Sequence, residues 1–480
     1  MMNRRLSAIG LGLGLAGTFA CSRAPEPEPQ MLSEWMHSLY GAIRVERVSP
    51  PVASRLMVYA TAALYAGLAT SDSRMPALTD ALNGFPQLPA AAGRLDGPLV
   101  SVYAERLVLD SLLREALPTT RAALSRLADS LATARVASGI SPALREASAA
   151  HGRRLGLAIV AWSRTDGFDG TRGRKYVAAK GPGLWVNDAP GNVFTSQNMS
   201  GASEMVELNN PANVLQAGKA SDRALVLNRP KRGNSTLPVV NMTGMSEPYW
   251  MELRPFALSR WNECAISDPP TYGRDSLAAL FADARAVFEA KRGLTPEQRE
   301  IAFYWADNAG ESGTPVGHWI SIASQMISQR QLPAADAARI LVQTAVAQAD
   351  AFIASWGYKY QYNLLRPRTY IREGIDPSWE PLIPTPPFPE YPSGHSTQSS
   401  AAAEVLTAAI GAVAFDDSTS ITIGHKVRRF ESFRAAAEEA GMSRIYGGIH
   451  YPSANVSGRN LGACIGRKVV ERFGGAPESR

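Results

Sequence analysis

Three short segments near the C-terminus carry side chains suited to gripping one small oxyanion. They are Lys359-Tyr-Gln-Tyr-Asn-Leu-Leu-Arg366-Pro367, Pro392-Ser393-Gly394-His395 and Ser443-Arg444-Ile-Tyr-Gly-Gly-Ile-His450. Lys359 and Arg366 stand seven positions apart, nearly two helical turns, so both cations can point to one place. Pro367 disfavours helical geometry at Arg366, which therefore ends a helix or begins the next loop. Ser393-Gly394 precedes a helical run, where unpaired N–H groups and the helix dipole favour an anion. Gly394 allows close backbone approach, and the Ser393 hydroxyl adds a hydrogen bond. The Gly447-Gly448 pair breaks the helix between Arg444 and His450. A guanidinium can bind two oxygens at once, and a neutral imidazole nitrogen can act as nucleophile or metal ligand. Taken singly, each segment has a plainer reading: a solvated helix face, a helix cap, a satisfied histidine beside a glycine turn. Together they suit a phosphate or vanadate site.

In this order the three segments resemble the acid phosphatase/vanadium haloperoxidase superfamily, with its patterns Lys-x6-Arg-Pro, Pro-Ser-Gly-His and Ser-Arg-x5-His-x3-Asp. The first two match in full. The third matches through His450, and Ala454 stands in place of its final Asp. Pro50-Pro51-Val-Ala-Ser-Arg55, Trp305-Ala-Asp307 with Gly313-Thr-Pro315, and Ala354-Ser-Trp356-Gly-Tyr-Lys359 look like secreted bacterial vanadium-dependent haloperoxidases. The resemblance implies an all-α fold of four-helix bundles with the oxyanion at one bundle's end. It implies vanadate as cofactor, and hydrogen peroxide and halide as reactants. By the same resemblance Lys359, Arg366 and Arg444 neutralise the vanadate oxygens, while Ser393 and the Gly394 N–H hydrogen-bond them. His450 ligates vanadium, His395 is the acid–base residue, and Asp307 orients His395. Trp356 and Phe388 line the halide pocket, and Ser396 stands where bromoperoxidases often place a second histidine.

The implied chemistry uses vanadium as a Lewis acid of constant oxidation state. His395 moves protons, and the cations polarise peroxide so that halide can attack it. With phosphate in the same cage, His450 would attack phosphorus and His395 would protonate the leaving alcohol. A phosphatase is therefore the alternative. Ala454 favours the haloperoxidase, given another group to hold His450. A non-catalytic oxyanion-binding lipoprotein would not need two histidines.

The elements that must position these groups read as helices. Apolar residues recur at three- and four-residue spacing from Met31 to about Val160, and again over 276–292, 295–308, 316–328, 333–358, 396–413 and 427–441, with a further helix from near His450. Between about 165 and 260, Gly, Asn, Pro and Ser dominate, predicting an irregular insertion with at most a small hairpin. The expected organisation is a signal peptide over 1–20, a lipoprotein tether over 21–30, an N-terminal helical region over 31–270 and a site-bearing helical domain over 271–480. No β-α-β alternation appears, which argues against a parallel sheet.

Arg4 and Arg5 precede an apolar run ending at Thr18-Phe19-Ala20-Cys21, which reads as an export signal with a lipobox-like cysteine. The protein is expected in the periplasm, on the outer membrane or secreted, with a lipid on Cys21 its one membrane attachment. No later apolar run is expected to span a bilayer. The net charge of +6, or +4 without residues 1–20, has no basic block, so nucleic acid is not an expected partner. Cys264 and Cys464 could pair in an oxidising compartment or remain buried thiols.

Overall fold

The structure is a computed structural model and describes residues 29–187 and 246–475. The signal sequence, Cys21 and most of the Gly- and Asn-rich insertion lie outside the described residues. What is described is helical: α1 (Gln30–Glu46), α2 (Pro50–Ala69), α3 (Gly97–Leu112), α4 (Pro118–Ala137) and α5 (Pro142–Ser163), then α6 (Ala279–Arg292), α7 (Pro296–Tyr304), α8 (Thr314–Gln329), α9 (Ala334–Tyr362), α10 (Pro367–Gly374), α11 (Gly394–Ile410), α12 (Phe433–Tyr446) and α13 (Pro452–Arg472). Residues 165–187 and 246–260 hold only single turns, as their composition predicts.

The 29-residue α9 is the spine. It packs on α2 and α8 on the N-terminal side and on α11 and α13 on the other. Buried apolar side chains of α2, α9, α11 and α13 join one continuous core. By length and composition α2 could cross a bilayer, contrary to the sequence expectation, but 94% of its apolar stretch is buried against protein. Its hydrophobicity is that of an all-round buried core helix.

The helices α11 and α13 approach closely because α13 presents glycines every fourth residue. At Gly462 a Cβ would come within 2.0 Å of the Thr397 carbonyl oxygen. A disulfide joins Cys464 on α13 to Cys264 before α6, across a separation of 200 residues.

Two sequence expectations need correction. Residues 427–431 are not helical: Arg428–Phe430 forms a strand, β2, paired antiparallel with β1 (Phe415–Asp417). The helix α12 starts at Phe433, where the Ser432 side chain caps it by accepting from the Ala435 N–H. The helix expected over 295–308 stops at Tyr304, and Asp307 takes a left-handed φ of 48°.

Candidate active site

The ends of four helices and one proline-rich segment build the site. Lys359 lies in the last turn of α9, which closes at Asn363 in the left-handed conformation. Arg366 is the extended residue that precedes α10, as Pro367 dictates. Ser393 caps α11, whose first two residues are Gly394 and His395. Arg444 lies in the last turn of α12, and the chain then turns through Gly448, at φ 78°, to reach His450.

These groups are buried together. Lys359, Arg366, Arg444 and His450 are 2% exposed or less. Arg366 Nη1 lies 3.2 Å from His450 Nε2 and 2.9 Å from the Ile449 carbonyl, while Arg366 Nε donates to the Phe388 carbonyl at 2.9 Å. Arg444 Nη1 lies 3.4 Å from His395 Nε2. Lys359 Nζ donates to the carbonyls of Pro389, Glu390 and Pro392. Its ammonium thus fixes the proline-rich approach while its charge faces the cage.

Convergence is visible in the electrostatics. Burial pushes His450 well below the usual imidazole range, and Arg366, Lys359, Arg444 and His395 each push it further. Burial and then Arg444, His318 and Lys359 lower His395. Burial lowers Lys359, Arg366 adds to this, and Glu390 opposes it. Arg444 falls to about 10, again by burial first. A buried cluster so short of negative charge is stabilised by an incoming anion. The set fits a tetrahedral oxyanion: guanidinium N–H groups, a capped helix start and an imidazole lone pair, with the charge of Lys359 beside them although its N–H groups go to backbone carbonyls.

A residue that the sequence reading missed supplies a close carboxylate. Glu390 Oε1 accepts from His450 Nδ1 at 2.7 Å and from the Tyr451 N–H at 2.9 Å. It is fully buried, and burial raises it to about 7 against the pull of Arg366, Lys359 and the Tyr451 N–H. Glu390 therefore does for His450 what a side chain at Ala454 cannot. With Nδ1 donating to Glu390, Nε2 carries the lone pair and faces Arg366. The Ala454 carbonyl still contributes, accepting from the Ser393 N–H at 3.1 Å. The sequence held one clue: Glu390 is the only acid in the stiff stretch Pro384–Pro392.

Two expected placements do not hold. Asp307 does not reach His395: both its oxygens meet His318 Nδ1, at 3.0 and 3.1 Å. The His395 ring bonds instead to the Trp305 carbonyl. Ser396 is not beside the aromatic pair. Its hydroxyl lies 3.0 Å from Ser393 Oγ and from Asn455 Oδ1, on the side of α11 facing α12 and α13. The cause is helical phase, because Gly394, two residues earlier, faces Trp356 and Lys359. Trp356 and Phe388 do meet, with ring centroids 4.9 Å apart. Phe388 lies under both cations, 5.3 Å from Lys359 Nζ and 4.8 Å from Arg366 Cζ.

Residues 339–475 match the family described as the VCPO second helical-bundle domain. A solved structure titled as the first bacterial vanadium-dependent iodoperoxidase is 30% identical, with a TM-score of 0.75, and the match covers 93% of this chain and 97% of that one. The chain belongs to the vanadium haloperoxidase family. A holo-type bacterial vanadium-dependent chloroperoxidase shares the fold at a TM-score of 0.62 and 15% identity, over 94% of this chain and 98% of that one. The vanadium chloroperoxidase of Curvularia inaequalis is 32% identical over 146 residues, 25% of this haloperoxidase chain. That match spans only 24% of the fungal enzyme's length.

Proposed function

We propose that this protein holds vanadate in the cage around His450 and oxidises halide with hydrogen peroxide, yielding hypohalous acid and water with uptake of one proton. The observation that carries the reading is the convergence of Lys359, Arg366, Arg444 and His395 on one imidazole whose free nitrogen faces Arg366. Vanadate bound there would supply a Lewis acid that activates peroxide without changing oxidation state. His450 Nε2 would be its protein ligand, oriented by Glu390 through Nδ1. Arg366 and Arg444, with the Ser393 hydroxyl and the Gly394 N–H, would hold the oxygens. His395 Nε2 has Arg444 as a donor partner, so it is an acceptor able to take a proton from peroxide and return it. Phe388 and Trp356 would give the halide a dry, polarisable wall.

Glu390 also supports a second reading. Ala454 leaves no carboxylate at that position for phosphoryl transfer, and Glu390 provides one on His450 Nδ1. Phosphomonoester hydrolysis in the vanadate-free protein, through attack by His450 Nε2, is the alternative activity of the same site.

We also propose that the protein acts outside the cytoplasm. The Cys264–Cys464 disulfide supports an oxidising compartment. To test the function, purified protein is incubated with orthovanadate and assayed for peroxide-dependent oxidation of iodide, bromide and chloride, in parallel with hydrolysis of a chromogenic phosphomonoester. Halide oxidation that needs vanadate and disappears in His450→Ala supports the first reading. Hydrolysis that vanadate inhibits, without halide oxidation, overturns it in favour of the second.

A further inference from the structure

Behind His395 and Arg444 lies a second buried histidine that the chemistry above does not use. His318, on α8, is flanked by two carboxylates. Nδ1 meets Asp307 at 3.0 Å, and Nε2 meets Asp417 Oδ2 at 2.8 Å. His318 and Asp417 are fully buried, and Asp307 nearly so. Tyr304 also donates to Asp417, at 2.7 Å. The His318 ring stacks on the Trp305 indole, with centroids 4.5 Å apart and planes at 16°. The indole N–H is held by Glu439 at 2.9 Å.

The segment gripped in this way is Ala302–Asp307, where α7 ends. It is fixed at three points: the Tyr304 hydroxyl, the Trp305 ring and the Asp307 carboxylate. Its backbone faces the active site. The Trp305 carbonyl bonds the His395 ring, and the Ala302 carbonyl accepts from Arg444 Nη2 at 3.3 Å. Arg444 and His395 are themselves in contact. Asp307 takes a left-handed backbone, which an aspartate accommodates.

We infer that the Asp307–His318–Asp417 cluster is a positioning device that aims His395 and Arg444 through the Ala302–Trp305 carbonyls. His318 and its carboxylates are positioning residues, since none of them touches the cage. Because His395 Nε2 faces a guanidinium donor, the cluster's consequence is one tautomer, with the proton on Nδ1 and directed at Trp305. A carbonyl on a clamped segment thus takes the place of a side-chain carboxylate on the acid–base histidine. The inference rests on the haloperoxidase reading for its kinetic consequence but not for its structural one.

The test uses the full chain labelled with 15N-histidine, whose six histidines are assigned by His→Gln variants. Wild-type His395 should be neutral, with a protonated Nδ1. Asp307→Asn is isosteric and tolerates the left-handed backbone, and it removes the charge that fixes His318. It should give a mixed or Nε2-protonated His395 and a fall of about tenfold in kcat for halide oxidation, with KM for peroxide and vanadate affinity unchanged within about twofold. Asp417→Asn, at the far end of the cluster, should move the His395 signals in the same direction, and it carries the test if Asp307→Asn does not fold. An unchanged tautomer in a folded variant overturns the inference, whether kcat is unchanged or falls only together with vanadate affinity. If wild type oxidises no halide, the functional reading fails while the tautomer measurement still decides this one.

Discussion

Two buried histidines in this molecule sit in opposite electrostatic surroundings. His450 has one carboxylate, Glu390, and burial first, then Arg366, Lys359 and Arg444, hold it well below the usual imidazole range. His318 has two carboxylates. Burial alone would lower it, but Asp307 and Asp417 raise it to about 10, and it remains a cation. At His318 two carboxylates more than offset the one imidazolium, so the cluster has no need of an anion. At His450 the charges do not balance, and the lone pair of a neutral ring points into the gathered cations. Burial is the same in both, so the difference in counter-charge separates the reactive histidine from the scaffold one.

The contrast can be broken from the His450 side first. His450→Ala should abolish vanadate-dependent halide oxidation and leave no stable vanadate binding, measured by assay and by 51V NMR. His395→Ala should keep the oxyanion bound while kcat falls by roughly 10²–10⁴. Glu390→Gln leaves the histidine with a neutral acceptor. Activity or vanadate affinity should drop by roughly 10–100-fold, and an unchanged enzyme would show that Glu390 does not set the His450 tautomer.

The His318 side gives a smaller effect, in stability rather than rate. Its folded pKa lies above its ordinary 6.5. Its contribution is therefore fully present below pH 6.5 and is lost as pH rises through about 10. Burial raises Asp417, but His318 and the hydrogen bonds from Thr419 together lower it to about 2. Its contribution is present above its ordinary 3.8 and is lost as pH falls through about 2. Wild-type Tm should decline on the alkaline side of neutrality, and His318→Gln should lower Tm at pH 6 while flattening that decline. Smallest of all, Ser396→Ala should leave the relative rates with iodide, bromide and chloride unchanged, because Ser396 faces Asn455 and not Phe388.

How legible the site was follows from how local each interaction is. The seven-residue spacing of Lys359 and Arg366, the Pro367 break, the Ser393 cap and the Gly447-Gly448 turn are short-range features, and the sequence placed their residues correctly. Helical periodicity likewise located the long α9 and α11. Glu390 reaches His450 across 60 positions, and Asp417 reaches His318 across 99. No spacing rule encodes such pairs. The resemblance pairs Asp307 with the wrong histidine for the same reason, since His318 reads only as one polar residue inside an apolar helix. The β1–β2 pair is not legible in the sequence because three-residue strands carry almost no periodic signal.

The central claim is that one tetrahedral oxyanion sits among Arg366, Arg444, Ser393 and His450. A crystal structure of the protein soaked in orthovanadate tests it directly. The account predicts one vanadium per chain, at coordination distance from His450 Nε2, with the Glu390–His450 Nδ1 bond intact. Vanadium absent from that position, or bound with His450 turned away, would contradict it.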